Sequence, residues 1–177
     1  MIRIFLTGYM GAGKTTLGKA FARAMNLTFI DLDWFIEERF HRSISEIFAE
    51  RGETGFRELE QNMLHEAGEF EDVVISTGGG TPCFFDNMEY MNRQGQTVFL
   101  DVHPDVLFRR LRMATQQRPI LQGKSDAELR TFIDEALQKR LPHYEKATYR
   151  FDGQYLESRS QIAESVKRLS KLLGIDN

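Results

Sequence analysis

The chain is short of several things, and each shortage excludes something. It carries one cysteine, Cys83, among 177 residues. One thiol closes no internal disulfide and makes no metal site, which fits a reducing, cytoplasmic setting. There is no excess of positive charge: 23 Lys and Arg stand against 26 Asp and Glu, a formal net charge of -3. No global field therefore exists to hold nucleic acid or an anionic membrane. Any anionic small molecule must instead be gripped by locally placed Arg or Lys. No apolar run approaches the roughly 20 residues of a membrane span. The opening MIRIFLTGYM is too briefly apolar for a signal peptide, since Gly8 interrupts it. Internal repeats, low-complexity segments and linkers are missing too. What remains, at 41% hydrophobic composition, is one ordinary globular domain over residues 1–177 with a full core.

Five short stretches rich in β-branched and apolar residues read as strands: 2-IRIFLT-7, 27-LTFIDL-32, 73-VVIST-77, 97-TVFLDV-102 and 148-TYRF-151. Helical spacing separates them. It is carried by Leu17, Ala20, Phe21, Ala24 and Met25, then by Phe56, Leu59, Met63 and Ala67. A third stripe is Leu129, Ile133, Leu137, Leu141 and Tyr144, and the tail 161-QIAESVKRLSKLLG-174 is amphipathic up to a glycine suited to a helix C-cap. Alternating strands and helices predict an α/β protein with a parallel sheet covered on both faces. Ligands then bind beyond the carboxyl ends of the strands.

The first strand runs into 8-GYMGAGKTT-16, which matches G-x-x-x-x-G-K-[ST] with a strand before it and an amphipathic helix after. Gly8, Gly11 and Gly13 permit a backbone path that turns N–H groups inward onto phosphates. The following helix adds the positive end of its dipole. Lys14 reaches the β- and γ-phosphates, and the Thr15 hydroxyl can ligate Mg²⁺. A chance glycine turn would not come in this context. A carboxylate for the magnesium shell is expected at another strand end. Asp31 and Asp33 qualify: i, i+2 on an extended chain, they face one way, roughly 6–7 Å apart. One can serve the metal and the other a substrate hydroxyl, although a turn-and-cap role also fits such acids. Asp101, at the end of another strand before 102-VHP-104, also qualifies by place, but a lone acid there could simply cap the next helix.

Gly78, Gly79 and Gly80 follow the strand at 73–77. Alone they could form only a tight turn. Beside a nucleotide loop they also permit close backbone approach to a ligand. Three arginines need explaining. Arg57, three residues before Glu60, could be half of a surface pair. Arg140 falls about 20° from Ile133 and about 40° from Tyr144 on an ideal helix, within the apolar stripe. A charge there requires an internal carboxylate or a bound anion. Pro142 predicts a kink or restart of that helix. Arg118 lies in a polar stretch between two helices, the composition of a lid that closes over phosphates, or else of a solvated loop. The four histidines show no ligand spacing. Phe48 and Phe56, flanking Arg57, could wall a small pocket.

Taken in order, 8-GYMGAGKTTLGK-19, 31-DLD-33, 56-FRELE-60, 78-GGG-80, 118-RPIL-121 and 140-RLPHY-144 resemble the signature of the shikimate kinase family over about residues 2–150. The loop is shared by many families, whereas the combination is specific. The resemblance implies a three-layer P-loop kinase fold: a five-stranded parallel sheet flanked by helices, a substrate-binding helical segment over about 33–61 and a lid over about 112–125. It implies transfer of the ATP γ-phosphoryl group, with Mg²⁺, to the 3-hydroxyl of shikimate on the way to chorismate and aromatic amino acids. Gly11, Ala12, Gly13, Lys14, Thr15 and Thr16 would then bind ATP, with Thr15 and Asp31 serving the metal. Asp33 would orient or deprotonate the reacting hydroxyl. Arg57, Arg140 and Gly78 to Gly80 would bind shikimate, the two arginines sharing its carboxylate. Lys14 and Arg118 would act on the phosphates, and Arg112 resembles the family's adenine-stacking arginine. The family is expected to be monomeric. Shikimate's one carboxylate and three hydroxyls match this inventory of two arginines, an aspartate and glycine N–H groups.

Two other readings stand beside it. One is another P-loop small-molecule kinase, such as a gluconate or nucleoside monophosphate kinase; gluconate is also a carboxylate. The other is a nucleotide-dependent switch, but a guanine-reading N-K-x-D is missing, and the placement of Arg140 is then unexplained.

Overall fold

The computed structural model describes residues 1–114 and 119–176. The strands are β1 (Arg3–Thr7), β2 (Thr28–Asp31), β3 (Val73–Ser76), β4 (Gln96–Asp101) and β5 (Tyr149–Asp152). The helices are α1 (Lys14–Ala24), α2 (Leu32–Phe40), α3 (Ile44–Ala67), α4 (Asn87–Gln94), α5 (Pro104–Met113), α6 (Asp126–Tyr144) and α7 (Arg159–Leu173). The strands form one parallel sheet in the order β2-β3-β1-β4-β5, as the alternation of patterns predicts. The chain leaves β1 for β2 on one side and later reaches β4 on the other. The reversal opens a crevice beyond the carboxyl ends of β1 and β3.

Strand periodicity explains the layers. Successive side chains of β1 point to opposite faces. Ile4 and Leu6 enter one core with Leu17 and Phe21 of α1, Leu107 of α5, Ile133 of α6 and Leu169 of α7. Phe5 enters the other core, with Leu32 and Ile36 of α2, Leu64 of α3 and Met91 of α4. β3 divides the same way, Val74 to the first and Val73 and Ile75 to the second. A sheet with an apolar core on each face is a three-layer α/β architecture. Among the described residues no helix is long and apolar enough to cross a membrane.

Three local features differ from the sequence pattern. First, α2 begins immediately after β2, so Asp33 is in a helical first turn and not on an extended chain. Asp31 is the N-cap, accepting from the Trp34 N–H at 3.1 Å. The i, i+2 strand argument for these two acids is therefore replaced by a strand-to-cap-to-helix step. Second, α3 starts at Ser43, whose hydroxyl forms a capping box with Glu46. It breaks at Gly52, where φ 70 and ψ 178 suit only glycine. The break turns the chain so that Phe48 stacks on Phe56 with ring centroids 4.3 Å apart. Third, α6 runs through Pro142 to Tyr144 with no restart. Pro142 lies in the last turn, where the helix has little further to go.

Candidate active site

β1 ends at Thr7, and the loop after it has φ of 141, 80 and 97 at Gly8, Gly11 and Gly13. Those values explain the glycines, since L side chains rarely adopt them. Gly13 is the N-cap of α1, which aims the first N–H groups of that helix into the crevice. Lys14 is buried, and its ammonium donates to the carbonyls of Gly8 at 2.7 Å and Tyr9 at 2.9 Å. Thr15 Oγ donates to Asp31 Oδ2 at 3.4 Å. Asp31 thus caps α2 with one oxygen and faces Thr15 with the other. A hydroxyl beside a carboxylate is a hard-oxygen pair suited to Mg²⁺, which takes few protein ligands and completes its shell with water and phosphate.

The loop opens onto a cleft of about 530 Å³. Its lining includes Gly11, Gly13, Lys14, Thr15, Thr16, Asp31, Asp33, Arg57, Gly78, Gly79, Gly80 and Arg140. Residues far apart in sequence, selected there by residue type alone, therefore share one surface. Phe48 and Phe56 line it as well.

Arg57 is not half of a surface pair. Its side chain is 12% exposed and that of Glu60, its partner at 2.9 Å, only 1%. Its guanidinium lies over the rings of Phe84, Phe56 and Phe48 at 4.2, 5.2 and 5.7 Å. Glu60 also accepts from the Thr81 hydroxyl at 2.8 Å, so the arginine is held from behind by a buried, anchored carboxylate. Arg57 Nε is buried with no partner among the described residues. A buried guanidinium N–H left over in this way is a donor available to an anion.

Arg140 comes from α6. No carboxylate pairs with it among the described residues. Its guanidinium stands 5.6 Å from the centre of the Tyr9 ring. The two arginines meet at the glycine turn. A Cβ on Gly79 would lie 3.0 Å from Arg140 Nη1, and one on Gly80 would lie 2.7 Å from Arg57 Nη2. A side chain at either glycine would push on a guanidinium. The Tyr144 hydroxyl, its pKa raised by burial, stays protonated and donates to the Gly79 carbonyl. That bond ties α6 to the turn one helical turn after Arg140.

Asp33 Oδ1 lies 3.2 Å from where a Gly78 Cβ would be. Burial first, then the nearby charges of Asp31 and Glu60, push its pKa from 3.8 up to about 6, while Lys14 pulls the other way. A carboxyl poised that near neutrality suits proton transfer or orientation of a hydroxyl.

Two expected residues stand apart, and a third is not among the described residues. Arg112 is exposed in the last turn of α5, 3.5 Å from Asp126, and it is not among the residues lining the cleft. Arg118 lies outside the described residues, as does the lid from 115 to 118; the rest of the expected lid continues as a short 3₁₀ turn, Pro119–Leu121. Asp101 is no helix cap. It accepts from Arg150 Nε at 2.8 Å, and the cap of α5 is His103, whose Nδ1 accepts from the Asp105 N–H. Conversely, Glu60, Thr81 and Arg110 were not singled out by sequence as site residues. Arg110 lines the cleft and donates to four backbone carbonyls.

The geometry agrees with comparisons to known proteins. The family model described as shikimate kinase matches residues 10–170. A shikimate kinase of Bacteroides thetaiotaomicron is 72% identical over 99% of this chain and 100% of its own length. A crystal structure of shikimate kinase from that organism superposes with a TM-score of 0.96 at 71% identity, covering 98% of this chain and 99% of that one. A shikimate kinase of Acinetobacter baumannii, solved in complex with shikimate, gives 0.84 at 30% identity, covering 98% and 94%. The glycine-rich loop, the paired arginines and these likenesses over nearly the whole length agree: the chain belongs to the shikimate kinase family.

Proposed function

We propose that the protein transfers the γ-phosphoryl group of ATP to the 3-hydroxyl of shikimate, giving 3-phosphoshikimate and ADP. One observation carries the reading. Two guanidiniums, from α3 and α6, converge on the Gly78–Gly80 turn in the same cleft as the phosphate loop and Asp33. That arrangement recognises a carboxylate at one end of a small molecule and places a hydroxyl toward a phosphate at the other.

In this reading Arg57 and Arg140 hold the carboxylate, with Glu60 and Thr81 fixing Arg57 from behind. Asp33 accepts a hydrogen bond from the 3-hydroxyl and orients its oxygen in line with the γ-phosphorus. Its pKa near 6 lets it take the proton as the oxygen–phosphorus bond forms. The donor phosphates lie across the N–H groups of Gly11 to Thr16. Lys14, which in the structure donates to loop carbonyls, is within reach to follow the charge that builds on the leaving β-phosphate. Thr15 and Asp31 would hold Mg²⁺, Thr15 as a direct ligand and Asp31 through water, and the ion would supply positive charge to the transferring phosphates. Arg118 would act from the lid. The whole chain works as one domain, as a monomer and in the cytoplasm.

Incubating the protein with MgATP and shikimate and examining the product by ³¹P and ¹H NMR tests this assignment. The expected product couples phosphorus to the proton on carbon 3. Coupling at carbon 4 or 5 would mean that the carboxylate grip places a different hydroxyl beside Asp33.

A further inference from the structure

Three aromatic rings lie around the Arg57 guanidinium, and the one that comes closest does not belong to its helix. Phe48 and Phe56 are on α3 with Arg57 itself. Phe84 comes from the segment between β3 and α4. Its ring centre lies 4.2 Å from Arg57 Cζ, against 5.2 Å for Phe56 and 5.7 Å for Phe48. Unlike those two, it is not among the residues lining the cleft.

The segment that carries Phe84 is held at both ends. Gly80 leads into a 3₁₀ turn over Thr81–Cys83, and the Thr81 hydroxyl donates to Glu60 at 2.8 Å. Asn87, fully buried at the start of α4, donates from Nδ2 to the Thr81 carbonyl at 3.0 Å and closes residues 81–87 into a loop. Inside that loop Phe85 has φ 50, in the left-handed region that a bulky side chain rarely adopts. Its own ring is 55% exposed, so burial of that ring does not explain the strain. The conformation turns the chain between Phe84, which faces Arg57, and Asp86, the N-cap of α4. Strain of this kind persists where surrounding contacts over-determine it, and it gathers at ligand clamps. The loop thus meets both halves of the buried pair, with a hydroxyl on the Glu60 carboxylate and a ring on the Arg57 guanidinium.

The chemistry of a guanidinium says what the ring does. Its N–H groups all lie in one plane and point from its edge, and its faces donate nothing. Nη1 is taken by Glu60 at 2.9 Å, while Nε is buried with no partner among the described residues. A carboxylate is gripped only when that edge, and not a face, meets it. A ring stacked on a face holds the plane against rotation, keeps water off it and attracts the positive charge.

We infer that Phe84 is a positioning residue for the acceptor's carboxylate: by stacking on Arg57 it sets the plane of that guanidinium, without touching the substrate itself. Naming shikimate as the ligand rests on the acceptor reading above. Titration calorimetry with shikimate and steady-state kinetics are run on the wild type, Phe84→Ala, Phe84→Leu and Phe84→Tyr. Phe84→Ala is expected to weaken shikimate binding about tenfold, with the KM for ATP within about twofold. Phe84→Tyr keeps the aromatic face and should stay within about twofold of the wild type, whereas Phe84→Leu keeps only apolar bulk and should recover part of the loss. In an Arg57→Ala background, Phe84→Ala should change the KM for shikimate by less than about twofold, because the ring acts through the guanidinium. A folded Phe84→Ala protein with wild-type shikimate affinity would overturn the inference. So would equal losses toward both substrates, or losses that multiply in the double variant. If Phe84→Ala does not fold, Phe84→Leu is read by the same criteria. The NMR signal of the Arg57 Nε–H, assigned by its loss in Arg57→Ala, separates this inference from the choice of acceptor. Without any ligand, its exchange with water should be about tenfold faster or more in Phe84→Ala than in the wild type. Unchanged exchange would overturn the inference whether or not shikimate binds. Faster exchange in a protein that does not bind shikimate would uphold the contact with Arg57 and overturn only the acceptor reading.

Discussion

Replacing Asp33 with Asn should make the protein inactive and more stable at once, and the size of the second effect follows from the site. Asp33 has a pKa raised from 3.8 to about 6 by burial and by the charges of Asp31 and Glu60. Glu37 adds to the repulsion, and Lys14 relieves part of it. Between those two values the folded protein binds more protons than the unfolded chain. Stability is therefore lost as pH rises through this window, and the loss is complete above about pH 6. At 1.36 kcal/mol per unit, the rise is worth at most about 3 kcal/mol. Solvent reaches the carboxyl through the open cleft and screens it, so about 1–2 kcal/mol is expected. Asn keeps the size and loses the charge. Urea unfolding, followed by circular dichroism with EDTA and without nucleotide, reads the difference across pH. The Asn protein should be the more stable by that amount at pH 8, and the gap should narrow as pH falls below about 6 and close below about pH 3, where Asp33 is neutral in both states. Turnover should fall by about a hundredfold or more. A gap of constant size from pH 4 to 8, or an Asn protein less stable at pH 8, would refute the electrostatic reasoning.

Arg57→Ala and Arg140→Ala should each raise the KM for shikimate by about 10- to 100-fold, with a much smaller effect on ATP, because each removes a charge-assisted bond to a carboxylate. They should differ in stability: Arg57→Ala leaves Glu60 buried without its arginine partner and should cost about 3 kcal/mol in urea unfolding, whereas among the described residues Arg140 has no such carboxylate to orphan. Gly80→Ala places a Cβ 2.7 Å from Arg57 Nη2. It should reproduce most of the shikimate defect of Arg57→Ala in steady-state kinetics while leaving the KM for ATP within about twofold; equal effects on both substrates would show that the turn serves the fold instead.

The parts of this architecture that depend on local pattern were legible in the sequence. The five strands lie within a residue or two of the apolar stretches, because a sheet buried on both faces writes itself as continuous β-branched runs. The phosphate loop was legible because its glycines answer a backbone demand met nowhere nearby. Less legible was anything decided by contacts between distant segments. Arg57 and Glu60 look like an ordinary surface pair at i, i+3; only the packing of Phe48, Phe56 and Phe84 makes the pair buried. Asp31 and Asp33 were found for a reason that does not hold, since α2 begins between them. They reach the cleft because a capping acid and a first-turn acid lie at the same strand end. Arg110 gave no signal because its partners are main-chain carbonyls, which every residue possesses. The sequence 109-RRLRM-113 shows three arginines, and which of them turns toward the loop depends on helical phase against segments 40 and 100 residues away. α4 carries few apolar residues, and only Met88, Tyr90 and Met91 mark its buried side, too few to read as a stripe.

The central claim is that the cleft is a two-substrate site whose acceptor is a small hydroxylated carboxylate, shikimate. A coupled ADP-release assay with MgATP, offering shikimate, gluconate and the nucleoside monophosphates separately, tests it most directly. The account predicts ADP release that saturates with shikimate and stays at background with the others. Saturable turnover of gluconate or a nucleoside monophosphate, with none of shikimate, would contradict it.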